Sequence, residues 1–210
     1  KQMNRRHTAK QANNSVEKAA KTGFKNISVD LIFGLPGLTS QEWKQNLDEL
    51  FRLPVNHLSA YHLTYHEGTP FYTWLKEGTL KELSENKSVI QFNTLIDKCL
   101  EAGFEQYEIS NFARNKCWSK HNTAYWTGKN YLGLGPSAHS FNGKSRSWNI
   151  ADLKNYCQAI ERGTSFSQHE ILTGSDKYNE YVLTHLRTQW GVSLKTVQKK
   201  FKNTTNSKHN

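Results

Sequence analysis

Residues 26–37 read NISVDLIFGLPG, and this stretch carries most of the information about the fold. Its first eight residues are mostly apolar, and Gly34, Leu35, Pro36 and Gly37 follow them. A short apolar run that ends in glycine and proline is typical of a buried strand leading into a turn. The turn lacks further glycines and a Gly-Lys-Ser/Thr ending, so a tight connection is favoured over a phosphate loop.

Helical and extended patterns alternate on both sides of this strand. Helices are predicted over 8–22, from Ser40 onward and over 86–102, and further strands over 57–65 and 104–110. Helices that alternate with strands predict an α/β fold with a parallel sheet, either open or closed into a barrel.

One face of the predicted sheet is polar. Side chains alternate between the two faces of a strand, and a sheet packed between two helix layers is apolar on both faces. The polar side chains that share a face are Ser28 and Asp30 in the first strand, His62 and Thr64 in the second, and Gln106, Glu108 and Ser110 in the third. The pattern predicts a lumen or cleft for a polar ligand. An unpaired buried carboxylate is costly, so Asp30 either contacts a ligand or pairs with a basic residue.

Composition limits the class of protein. The chain has 210 residues, 36% of them hydrophobic, and lacks the roughly 18 consecutive apolar residues of a membrane-spanning helix. We expect a cytoplasmic protein. The net charge of +10 is spread along the chain, with local excess near Arg5 and in the polar tail after Lys195. A solvated surface with a loose basic tail is favoured over a nucleic-acid interface.

A segment rich in glycine and aromatic residues, 117–148, predicts extended segments and loops that contact a ligand. Within it, His121, Asn122, Tyr125 and Trp126 form the pattern HNxxYW, which can offer an imidazole and flat rings to a porphyrin iron. A hydrogen-bonded histidine in an aromatic core is the alternative. Cys117 is either a second soft ligand or inert packing.

Helices are also predicted over 151–162 and 176–189, and the region 165–201 has the pattern of a small helical, winged-helix-like appendage.

Several sequence blocks together resemble the HemN/HemW family of radical S-adenosylmethionine proteins. The blocks are NISVDLIFGLPG, the arginine and histidine of 4–7, LSAYHLTYHEGTPF, FEQYEISNFA, and HNTAYW followed by YLGLGPSAHSF. The resemblance implies a partial (β/α)6 barrel with a [4Fe-4S] cluster, followed by a smaller domain, and it matches this chain to the C-terminal part. It implies the last part of the barrel at 1–112, a capping region with HNxxYW at 113–164 and a C-terminal domain with a disordered basic tail at 165–210.

The resemblance also assigns residues to cofactors. Arg5 matches the contact to the carboxylate of S-adenosylmethionine, Asp30 the contact to its ribose, and Thr64 the backbone near its adenine. The CxxxCxxC motif that binds the cluster is absent, and the spacing of Cys99, Cys117 and Cys157 does not replace it. Whether the protein is an enzyme stays open, and we expect no radical chemistry from this chain alone.

HNxxYW is the pattern of the haem chaperones in this family, so haem binding and delivery to haem-accepting proteins is the expected function. His121 is the expected metal ligand, with Asn122, Tyr125 and Trp126 beside it. The alternatives are an oxygen-independent coproporphyrinogen III oxidase of porphyrin biosynthesis and a basic winged-helix nucleic-acid-binding protein. We expect haem and haem-accepting proteins as partners and no nucleic acid, and leave a homodimer and a peripheral membrane association open.

Overall fold

A computed structural model describes residues 6–206, with side chains for 6–201. The chain divides into two compact units, Lys1–Trp118 and Ser119–Asn210. The described residues form eight helices and two sheets, so the predicted mixed α/β class is confirmed. The divisions after residues 112 and 164 stay predictions.

The first unit contains every helix and strand that the pattern predicted, together with a short helix at 70–76 and a short strand at 111–113 that it did not predict. Its elements are α1 Ala9–Lys21, β1 Ser28–Phe33, α2 Ser40–Phe51, β2 His57–His62, α3 Pro70–Lys76, α4 Glu85–Glu101, β3 Glu105–Glu108 and β4 Asn111–Ala113. Two helices begin at capping boxes, in which Thr8 pairs with Gln11 and Thr39 with Glu42. Each box satisfies backbone N–H groups that a helix start leaves without partners. The second predicted helix therefore has its cap at Thr39, one residue before Ser40.

The sheet of this unit is mixed, with strand order β1-β2-β4-β3. β1 and β2 are parallel, as predicted, but β4 is antiparallel to both β2 and β3. The strand predicted over 104–110 forms as β3 and, being antiparallel to β4, runs in the same direction as β1 and β2; the antiparallel strand β4, which was not predicted, lies between β3 and β2. The chain reverses at Ile109 and Ser110, and so short a connection can join only antiparallel strands, whereas a parallel pair needs a crossover of a dozen or more residues.

The apolar face of β1 packs against α2 and α4. Ile27, Val29, Leu31 and Phe33 contact the buried cluster, which confirms the predicted alternation. The buried members of this core are Phe33, Trp43, Leu47, Leu50, Val55, Leu58, Ala60, Leu95, Cys99, Phe104 and Phe112.

His62 lies on the apolar face, so its predicted place on the polar face was wrong. It is next to Phe33 in the parallel register, and the two rings meet edge to face at 5.2 Å. Its Nε2 is 3.0 Å from the Ser88 hydroxyl, on α4. Thr64 lies beyond the end of β2, where strand alternation no longer applies. The polar face of β2 is instead formed by His57 and Ser59.

A buried glutamine holds the turn after β1. Gln91 is 1% exposed; its Oε1 accepts from the Gly34 N–H at 2.9 Å and its Nε2 donates to the Leu38 carbonyl at 3.0 Å. Gly34 has φ +74°, and a Cβ there would overlap the His62 ring. The turn therefore requires glycine at this position.

The second unit contains an antiparallel three-stranded sheet with strand order β5-β6-β7. Its elements are α5 Lys120–Trp126, β5 His139–Phe141, β6 Ser145–Asn149, α6 Leu153–Glu161, β7 Ser167–Ile171, α7 Gly174–Leu186 and α8 Leu194–Asn206. The predicted helices at 151–162 and 176–189 are confirmed as α6 and α7. HNxxYW lies on a helix, not in the extended segment expected for 117–148, because Ser119 caps α5 by accepting from the Asn122 N–H. None of the helices in residues 6–206 is long and apolar enough to cross a membrane.

Candidate functional site

The polar face of the first unit carries a hydrogen-bonded group around His57. Its Nδ1 is 2.8 Å from the Ser28 hydroxyl, and its Nε2 is 2.7 Å from the Tyr107 hydroxyl. Burial lowers the pKa of His57, although the negative charges of Asp30 and Glu108 oppose this shift. The histidine is therefore held as a neutral hydrogen-bonding group beside two carboxylates.

The two carboxylates differ in exposure. Asp30 is exposed at the centre of β1, next to Ser59 in register. Glu108 is buried, and its Oε1 accepts hydrogen bonds from the Ser110 N–H at 2.9 Å and from the Asn111 amide. Asp30 is therefore the carboxylate of this face that can meet a ligand.

A cavity of about 550 Å³ lies at the carboxyl end of β1 and β2. Its lining residues are Ile32, Tyr61, His62, Leu63, Thr64, His66 and Ser110. Thr64 lines this cavity from a position two residues beyond the end of β2, and Asp30, two residues before Ile32, lies on the same side of β1 as Ile32. Arg5 lies outside the described residues.

The cysteines differ in their surroundings. Cys99 is buried in the core, and burial raises the pKa of its thiol to about 12. Cys117 is half-buried and Cys157 is exposed. Among residues 6–206, no group of three His, Cys, Asp or Glu side chains is placed to hold a metal. The donors present in this part of the chain therefore do not fit an iron–sulfur cluster, which takes thiolate ligands.

The second unit contains a larger cavity, of about 1080 Å³, which we call the aromatic cavity. Residues of α5, α7 and α8 and of the sheet line it. The aromatic lining residues are Tyr125, Trp126, Tyr131, Phe141, Tyr181, Trp190 and Phe201. The charged or titratable lining residues include Arg146, Lys177, Glu180, His185 and Lys200. Flat rings together with an excess of basic groups suit a planar apolar ligand that carries negative charge.

The HNxxYW residues are divided between this cavity and the surface. Tyr125 and Trp126 line the aromatic cavity, whereas His121 and Asn122 are not among its lining residues. The exposed His121 ring meets Tyr125 edge to face at 4.8 Å, and Tyr125 meets Tyr131 in the same way at 4.5 Å. The motif therefore contributes aromatic surface directly, and His121 contacts the cavity through Tyr125.

The indole of Trp126 carries a polar atom suited to a ligand. Its buried Nε1–H has no hydrogen-bond partner within residues 6–201, and the Arg187 guanidinium lies 4.9 Å from the ring centroid. Buried donors are nearly always hydrogen-bonded, so the Trp126 N–H group is suited to donate a hydrogen bond to an acceptor atom of a ligand in the cavity.

Residues of β6 and α7 in the aromatic cavity were missed from the sequence. Arg146 pairs with Glu180 at 2.7 Å. Lys177, Tyr181 and His185 recur at intervals of four residues, which places them along one face of α7. That spacing was the available signal, but it does not indicate which face of the helix lines a cavity.

The fold agrees with that of a radical S-adenosylmethionine protein. A solved structure described as coproporphyrinogen III oxidase (HemN) from Escherichia coli, a radical SAM enzyme, superposes with a TM-score of 0.75, covering 95% of this chain and 49% of that one at 20% identity. The similarity defines the class of fold to which the chain belongs. No protein-family model matches the chain.

Sequence comparison finds relatives with higher identity. The chain is 34% identical to the heme chaperone HemW of Bacillus subtilis over 95% of its length and 53% of that protein's. It is 31% identical to the HemW of Lactococcus lactis over 96% of its length and 53% of that protein's. A zebrafish (Danio rerio) mitochondrial radical S-adenosyl methionine domain-containing protein 1 is 38% identical over 65% of this chain and 31% of its own.

The chain is similar to proteins of the HemN/HemW family. It spans about half the length of the curated relatives it matches, which agrees with the expected correspondence to the C-terminal part of such a protein.

Proposed function

We propose that the protein is a haem chaperone, which binds haem and delivers it to haem-accepting proteins. The observation that carries this proposal is the position of Tyr125 and Trp126, the aromatic half of HNxxYW, in the lining of the aromatic cavity. The names of the HemW relatives support the same function. The oxidase alternative has only the fold similarity in its favour.

The chemistry of the aromatic cavity matches that of haem. A porphyrin is flat and apolar, and the rings of Tyr125, Tyr131 and Trp126 offer edges and faces to it. Its two propionates are negatively charged, and Lys177 and Lys200 supply positive charge at the same cavity. The basic groups therefore orient the propionates, while the aromatic rings exclude water from the macrocycle.

His121 is the iron ligand that the motif suggests. Its imidazole is exposed and so is accessible to an incoming metal centre. A neutral imidazole nitrogen is a common haem ligand. The backbone N–H of Asn122 donates to the Ser119 hydroxyl, and this cap begins α5, the helix that carries the motif.

The first unit supports a separate proposal about cofactors. We infer that it is the last part of a radical SAM barrel, in which Arg5, Asp30 and Thr64 contact S-adenosylmethionine and in which none of Cys99, Cys117 and Cys157 is a ligand of the [4Fe-4S] cluster. The region after 165 would then be the winged-helix-like C-terminal domain. In the chain extended to the length of its relatives, Asp30→Ala should weaken S-adenosylmethionine binding about tenfold, as the loss of a charged hydrogen-bond acceptor requires.

A haem titration tests the proposed function. The 210-residue chain should take up one haem with a saturable Soret change, and Trp126→Ala should weaken binding about tenfold because both apolar contact and an N–H donor are lost. Trp74→Ala removes a partly exposed tryptophan of the first unit and is the matched control. Absence of saturable haem uptake by the folded chain would contradict the proposal.

A further inference from the structure

The aromatic cavity contains a histidine that the HNxxYW motif does not include. His185 lies in the last turn of α7, is half-buried and lines the cavity. Its ring packs against that of Tyr181, one turn earlier, with centroids 4.0 Å apart. This contact restricts the orientation of the imidazole, so its nitrogens are held in fixed directions.

Hydrogen bonding sets the tautomer of this imidazole. Nδ1 lies 2.8 Å from the carbonyl oxygen of Tyr181, and a carbonyl oxygen only accepts. The proton of the neutral ring is therefore on Nδ1, and Nε2 keeps its lone pair. Histidines that bind metals almost always donate their other ring N–H to a carbonyl or carboxylate in this way.

The second nitrogen is available for a ligand. Within residues 6–201, no hydrogen bond to Nε2 is recorded, whereas Nδ1 is also 3.3 Å from the Thr184 hydroxyl. That hydroxyl donates to the Glu180 carbonyl at 2.8 Å, so it can accept from Nδ1 as well. Both observations leave Nε2 as the unprotonated nitrogen.

We propose that Nε2 of His185 coordinates the iron of a porphyrin bound in the aromatic cavity. The proposal rests on the proposed haem-binding function and adds an iron ligand on α7, independent of His121 on α5. Coordination would place the iron near Tyr181, and the charges of Lys177, one turn before Tyr181 on the same helix face, and of Lys200 would be at the same cavity for the propionates. The ligand of the site is thus an iron porphyrin with free carboxylates.

A structural role for His185 predicts a different behaviour. If His185 only forms a hydrogen bond to the backbone of its own helix, its replacement would lower stability but would leave the spectrum and affinity of bound haem unchanged. Its replacement would also affect iron-containing and iron-free porphyrins equally. The comparison between the two porphyrins therefore distinguishes coordination from packing.

The test uses haem and metal-free protoporphyrin IX with the 210-residue chain. His185→Ala should shift the Soret band and weaken haem binding about tenfold or more, while the affinity for protoporphyrin IX stays within about twofold. Added imidazole should restore the original band in the His185→Ala variant. His169→Ala, at an exposed histidine of β7 outside the cavity lining, is the matched control and should leave both titrations unchanged.

Three outcomes are decisive. If His185→Ala binds haem with the original spectrum and affinity, the coordination proposal is wrong while the haem-binding function stands. If the original chain takes up no haem, both are wrong. If the variant does not fold, chemical modification of the original chain gives the answer: bound haem should protect His185, but not His169, from diethyl pyrocarbonate, and modification of His185 at the same rate with haem bound would overturn the proposal.

Discussion

Replacement of Gln91 should destabilise the first unit more than any exposed change on the same helix. The side chain lies in the core on α4 and bridges two parts of the turn after β1, accepting from Gly34 and donating to Leu38. Its own carbonyl accepts from the Trp43 indole at 2.9 Å, a bond that survives replacement because it uses the backbone. Gln91→Ala therefore removes two hydrogen bonds of the turn and leaves the bond from α2 in place.

The magnitude follows from these two bonds. A buried donor or acceptor that loses its partner costs about 1–3 kcal/mol, and Gln91→Ala leaves one of each. The truncation also removes buried methylene groups, and partial relaxation of the turn offsets some of the loss. We expect the free energy of unfolding to fall by about 3 kcal/mol, and by about 2 kcal/mol in Gln91→Met, which keeps most of the volume.

Urea denaturation followed by circular dichroism at 222 nm measures this difference. Asn93→Ala, at an exposed position on the same helix, is the control and should change the free energy of unfolding by less than about 0.5 kcal/mol. The reasoning is refuted if Gln91→Ala falls within about 1 kcal/mol of the original chain, because the turn would then keep its N–H and carbonyl satisfied without this amide.

Three further predictions concern haem, pH and metal. His121→Ala should remove or shift the Soret band of bound haem, whereas Cys117→Ser should leave it unchanged. If the band of His121→Ala equals that of the original chain, HNxxYW serves packing and not iron coordination. Because burial lowers the pKa of His57 in the folded chain, the unfolded chain binds more protons as pH falls below about 6.5, and stability should decline over that interval. His57→Gln should make this decline smaller in denaturation midpoints measured from pH 7.5 to pH 5. If the midpoint of the variant falls with pH as steeply as that of the original chain, His57 is not the cause of the decline. Anaerobic incubation with iron and sulfide should leave the 210-residue chain without a [4Fe-4S] cluster, since Cys99 is buried with a raised thiol pKa and the described residues offer no three-ligand group; about four irons per chain would show otherwise.

Local patterns predicted the elements of the first unit well. The apolar run before Gly34 became β1, and the apolar spacing that includes Trp43 and Leu47 became the buried side of α2. These features depend on neighbouring residues, because alternation, capping and turn formation act over at most one turn of helix or a few residues of strand. The assignment of Asp30 to the polar face had the same basis.

The pairing of the strands was harder to predict from the sequence than their positions. The segment 104–110 has a strand pattern, but its length does not reveal that the chain reverses at Ile109 to pair β4 with β2. His62 was assigned to the wrong face because it was grouped with Thr64, which lies beyond the end of β2, whereas the parallel register places His62 beside the buried Phe33 of β1.

The sequence by itself determined the α/β class, the polar side of β1, the HNxxYW pattern and, through the order of its motifs, the family resemblance. Only the tertiary structure decided that Tyr125 and Trp126 share a cavity with Arg146, Tyr181 and His185, which are separated from them by at least 20 positions along the chain. Alternation and helical periodicity place a side chain on a face of its own element. Which faces meet depends on long-range packing and backbone pairing, where many arrangements satisfy the same local pattern and only the summed burial and hydrogen bonding of the whole unit selects one.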